Sequence, residues 1–180
     1  MKYVLLALVA SGAAWFYLID GSKLDEAMVR EFYQQQARHT FERDPQALCD
    51  QMGGKYRMSI ESRIGGSTSN ATYGKSAACE QVKKSFKFFA DMGEKAGGIL
   101  TIEYNYDIHE LTMGRNNKSA TVEVSTTLKM GEEFMQIFSE QTDRIERSMR
   151  KVQLVEQTAK THMRWTPGAI DHPEQYFQAQ

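Results

Sequence analysis

The chain predicts an α+β fold in which N-terminal helices pack on a curved antiparallel sheet, with one hydrophobic helix ahead of them. Three features carry that expectation. Apolar residues recur at helical spacing over residues 23–43 and again over 75–98. They alternate strictly from Leu100 to Ile108 and again from Ala120 to Leu128, the signature of a long hairpin. A run of 17 uncharged residues, Tyr3 to Ile19, precedes both patterns. With 180 residues, 41% of them hydrophobic and 25% charged, the chain has enough material for one core of ordinary size. Its net charge of -1 argues against a nucleic-acid binder, which would carry a basic excess.

The N-terminal run, YVLLALVASGAAWFYLI, would form a helix roughly 26 Å long at about 1.5 Å per residue, barely enough for a hydrocarbon core of ~30 Å. It reads as an uncleaved anchor, because Trp15 and Tyr17 suit a membrane interface. The competing reading is a signal peptide cut among the small residues Ser11 to Ala14. Both readings export residues 20–180. The expected organisation is an anchor or signal over residues 1–20, a domain over 24–166 and a polar tail over 167–180.

Within the domain, residues 23–43 place Val29, Phe32, Tyr33, Ala37, Thr40 and Phe41 on one stripe, with Ser22 and Asp25 at capping-box spacing. Asp44 and Pro45 restart a short helix to about Met52, which Gly53-Gly54 should end. KYRMSIES reads as a strand. The helix from Lys75 should turn Cys79, Val82, Phe86, Phe89 and Ala90 to the core. The alternation that follows changes phase at Leu111 and Met113, which predicts a bulge near His109-Glu110. GRNN supplies the turn. Residues 133–147 suit a helix or a strand, and KVQLVEQTAKTHMRW is a further strand.

The stretch GGSTSNATYGKSAACE, residues 65–80, carries a GKS that invites comparison with a phosphate-cradling loop. Ser69 stands where that loop needs its first glycine, and no repeated strand-helix-strand pattern follows. It therefore reads as a polar connection. Lys83, Lys84 and Lys87 beside Phe86, Phe88 and Phe89 read as a solvated helix face over a buried one. His39, His109, His162 and His172 are scattered without metal-ligand spacing, so neither a metal nor a cofactor is expected. Two cysteines in an exported chain favour a Cys49–Cys79 disulfide, against the alternative of two buried thiols.

From about Leu24 to Trp165 the chain resembles the nuclear transport factor 2-like superfamily, a cone-shaped α+β fold. The resemblance lies in the VREFYQQQARHTFERDPQALCDQMGGKYRMSIES opening, the YDIHELTMGRNNKSATVEVSTTL hairpin and the closing KVQLVEQTAKTHMRW strand. More narrowly, the chain resembles exported bacterial members that pair a hydrophobic N-terminal segment with cysteines placed like Cys49 and Cys79. The resemblance implies a cavity between helices and sheet, where the isomerase members use a tyrosine and two acids. Tyr33, Glu61 and Asp107 lie in the corresponding regions, and His109 shares the face of Asp107. Strict alternation sets Asp107 and His109 on the face opposite Tyr104 and Tyr106, which weighs against a shared pocket.

The resulting expectation is an inner-membrane, single-pass protein with a periplasmic domain that binds a small apolar ligand or a protein partner. A homodimer is left open and nucleic acid is not expected. The alternative is a small-molecule isomerase, cyclase or hydrolase, with Tyr33, Asp107 and His109 as its catalytic candidates.

Overall fold

The computed structural model describes residues 23–64, 66–95, 101–131, 135–148 and 150–165. The expected anchor over residues 1–20 and the tail over 167–180 lie outside the described residues.

Helix α1 spans Glu26–Phe41 and α2 spans Pro45–Gln51. Asp25 caps the first by accepting the Met28 amide at 2.8 Å, so it is the cap itself and not the far partner of a capping box. Asp44 caps the second through the Ala47 amide at 2.9 Å, with Pro45 at the first turn as expected. Strand β1, Met52–Ile64, begins without a break. The two glycines expected to end α2 therefore sit inside the strand. Gly53 is there because a Cβ would meet Val155 Cγ1 at 3.1 Å.

Strand β2, Ser67–Gly74, occupies the stretch expected to be a loop. It pairs antiparallel with β1 from Arg57↔Gly74 to Ile64↔Ser67, after a turn that holds Gly66 at φ 89°. The physical reason is its position at the sheet edge, where side chains meet water on most sides and an apolar alternation is not needed. Only Ala71 and Tyr73 turn a partly buried side inward. Helix α3, Lys75–Lys95, follows directly, and its first lysine donates to the Met52 carbonyl at 2.6 Å. The lysine of the GKS motif thus anchors the start of β1. In α3, Ala78, Phe88 and Phe89 are buried, whereas Ala90, expected in the core, is exposed.

The rest is a meander: β3 Ile102–Met113, β4 Ser119–Met130, β5 Met135–Ser148 and β6 Lys151–Trp165. The bulge falls where it was expected, between Ile108 and Glu110. The ambiguous stretch over 133–147 resolves as a strand from Met135. The six strands run in the order β2-β1-β6-β5-β4-β3. Every pairing is antiparallel except β1 with β6, which is parallel, so the expected antiparallel sheet is mixed.

Helices α1 to α3 cover one face of the curved sheet. A first apolar cluster joins Leu24, Val29 and Phe32 to Val122, Val124, Ile145 and Leu154. A second joins Phe88 and Phe89 to Ile102, Met130 and Met135. Phe41, placed on the apolar stripe of α1 by its spacing, is 68% exposed, because the helix ends there beyond its contact with the sheet. The start of the domain is tied to the strand turns. The Leu24 amide donates to the Asn117 carbonyl at 2.5 Å, and the Arg147 guanidinium donates to the Lys23 carbonyl. Cys49 and Cys79 form a disulfide, with Cα atoms 5.4 Å apart, that joins α2 to α3.

Candidate functional site

Between the helices and the inner face of the sheet lies a cavity of about 390 Å³. That volume falls in the usual range for small-molecule sites. Phe32 of α1, Leu48 and Gln51 of α2, and Ala78, Val82, Phe86 and Phe89 of α3 form one side. Tyr56, Met58, Tyr104, Leu128, Gln141, Gln157 and Met163 belong to the other. The pleat explains the sheet side, since every second residue faces inward and register brings like positions into rows. One row runs Tyr106–Thr126–Ser139–Thr161–Ser62–Ser69, a hydroxyl on each of the six strands. Ser139 and Thr161 hydrogen-bond within it at 3.0 Å.

Below that row is a buried polar network. Asp143 of β5 is fully buried, and both its oxygens are engaged. The Tyr33 hydroxyl donates to Oδ2 at 2.8 Å and the Gln157 amide to Oδ1 at 3.0 Å. Tyr56 donates to Gln157 Oε1 at 2.8 Å, Gln157 donates to Gln141 Oε1 at 3.0 Å, and Gln141 donates to Thr126 Oγ1 at 3.2 Å. Burial pushes the Asp143 carboxyl up to about 6, against the partial opposing effect of the Tyr33 and Gln157 hydrogen bonds. Burial, reinforced by the neighbouring Asp143, also raises the Tyr33, Tyr56 and Tyr104 hydroxyls far above the ordinary tyrosine value. These tyrosines are neutral donors at any physiological pH.

Of the residues singled out from sequence, Tyr33 alone joins this network. It stacks on Tyr106 with ring centroids 5.8 Å apart. Asp107 and His109 lie on the outer face, with side chains 79% and 53% exposed. There His109 Nδ1 is 3.6 Å from Asp107 Oδ2, and His109 Nε2 is 3.0 Å from Ser125 Oγ. Glu61 pairs with Arg63 at 3.2 Å. The structure therefore brings Asp107 and His109 together but separates both from Tyr33, as alternation required. The acid inside the fold is Asp143, which sequence reading missed. Its signal was available: Ser139, Gln141 and Asp143 occupy the same strand phase as Ile137 and Ile145, so polar residues hold positions that face the core.

The helix order and the bent six-stranded sheet are shared with solved proteins. A conserved protein from Planctomyces limnophilus superposes with TM-score 0.55 at 16% identity, covering 76% of this chain and 95% of its own. A nuclear transport factor 2-like protein from Shewanella oneidensis gives TM-score 0.52 at 16% identity, covering 73% and 95%. One from Pseudomonas putida gives 0.50 at 14%, covering 75% and 84%. The fold is nuclear transport factor 2-like. No protein-family profile and no curated protein sequence matches the chain. The nuclear transport factor 2-like fold by itself hosts many activities, so function has to be argued from the cavity.

Proposed function

We propose that this nuclear transport factor 2-like domain is a non-enzymatic binding module, held at a membrane by residues 1–20 and facing the extracytoplasmic side, whose cone cavity holds a small molecule. The observation that carries the reading is the composition of the cavity wall. Among the described residues, none that line it is an Asp, Glu, His, Lys, Arg or Cys. The wall does hold Ser, Thr and Tyr hydroxyls, but a hydroxyl acts as a nucleophile only when a neighbouring group of that kind takes its proton. Asp143 lies behind the wall, and its two oxygens already accept from Tyr33 and Gln157. A binding site asks for less: apolar walls and a few oriented polar groups. The uncharged run from Tyr3 to Ile19 supports the membrane tether, and the Cys49–Cys79 disulfide supports an oxidising compartment. Among the described residues no helix is long and apolar enough to cross a membrane, which leaves the tether to residues 1–20.

The test is to purify the full chain from its own cells in lipid nanodiscs and identify small molecules released on denaturation. About one molecule per chain is expected, and it should be lost from a folded Val82→Trp variant, whose indole fills the cavity. Retention of the same molecule by that variant would place the ligand elsewhere. Recovery of two interconverted isomers that collapse to one in Asp143→Asn would establish an enzyme instead. For the tether, the full chain should fractionate with membranes, and a chain lacking residues 1–20 should be soluble. A mature protein beginning near Ala14 would replace the anchor with a cleaved signal.

A further inference from the structure

We propose that the ligand is an uncharged molecule with an apolar body and an alcohol or amide group, and that this group pairs with the side-chain amide of Gln51. The inference rests on the binding reading above and adds the chemical class of the ligand. Two independent observations support it.

The first is the neutrality of the wall. A charged ligand would leave water for a lining that, among the described residues, offers no counter-ion to offset its lost hydration. Asp143 does not compensate for a cation, because Tyr33 and Gln157 occupy both its oxygens, and when ionised it opposes an anion.

The second is Gln51 itself. Its Nε2 and Oε1 are both buried and have no hydrogen-bond partner among the described residues, although the residue forms part of the cavity wall. An unsatisfied buried polar atom has lost its hydration with nothing in return, so each needs a physical explanation. Gln51 ends α2, two residues after Cys49, whose bridge to Cys79 ties that end of the helix to α3. The backbone is thus held while the side chain keeps its torsions. Rotation toward the cavity turns both amide atoms to a ligand and relieves both deficits together. Because an amide donates and accepts, its complement must do the same, which selects an alcohol or an amide over a ketone or an ether.

Four probes on one scaffold test this with the full chain in nanodiscs, read by naphthalene fluorescence, with the Val82→Trp variant as the blank for lipid partitioning. 2-Naphthamide should bind at least tenfold tighter than 2-ethylnaphthalene, and 2-naphthoate and 2-naphthylmethylammonium should be weaker than both. Gln51→Met, similar in size but unable to donate, should erase the tenfold preference while leaving 2-ethylnaphthalene within about twofold. A preference that survives Gln51→Met, or tightest binding by either ion, overturns the inference. Equal binding of the amide and the hydrocarbon overturns it too but leaves a binding cavity. Failure of all four probes to exceed the blank overturns the binding reading itself.

Discussion

Asp143 is the residue whose burial has the clearest measurable cost. Its carboxyl titrates near 6 in the folded protein, against an ordinary value of 3.8. Between those two pH values the folded state binds the proton and the unfolded state does not. Stability from this group is therefore full below about pH 4, and it is lost as pH rises through about 6. The difference corresponds to about 3 kcal/mol at most. Asp143→Asn removes the titration while keeping one acceptor for the network. Unfolding by urea at pH 4 and pH 7.5 should show the variant gaining about 2–3 kcal/mol on the parent between the two, and parallel profiles would refute the account. Tyr33 was legible as a pocket candidate from its place on the helix stripe. Asp143 was harder to read: its strand phase pointed inward, but a carboxylate there looks like a break in the pattern until its partners from two other elements, α1 and β6, are known.

At the scale of elements, the same reasoning separates what the sequence revealed from what it hid. The β3–β4 hairpin was readable because Tyr104, Tyr106 and Ile108 alternate with polar residues, and even its bulge showed as a change of phase. β5 was ambiguous because Ser139, Gln141 and Asp143 put polar side chains on its inner face. β2 looked like a loop, since Ser, Thr, Asn and Gly serve an edge strand and a turn equally well. The parallel β1–β6 pairing has no local signature at all, because the partners are set by the whole sheet. The Cys49–Cys79 bridge was expected from cysteine count and export, and it closes a separation of 30 residues. Replacing both by serine should cost roughly 3 to 4 kcal/mol of stability by the loop-entropy account. The same change should weaken 2-naphthamide more than 2-ethylnaphthalene, because Gln51 then loses its fixed base. Equal weakening of both probes would assign the bridge to stability alone.

For the whole molecule, the cone joins two parts of different origin. Strands β3 to β6 follow one another as a meander, each paired with its chain neighbour. The α2–β1–β2–α3 portion is local too, closed by the hairpin and the disulfide. Within the sheet these parts meet along one seam, where β1 runs beside β6 from Met52↔Leu154 to Ile64↔Met163. That seam spans most of the domain's sequence, so its loop-closure entropy is among the largest the fold must meet. A chain emerging N-terminus first can pair β1 with β2 and bring Cys49 to Cys79 long before residue 151 appears. Until then the other edge of β1 has no partner, and an open strand edge is the surface through which chains associate wrongly. Protection of that edge while the chain is being made is thus a demand that the topology makes on whatever handles the emerging chain, and it ends when the last strand arrives.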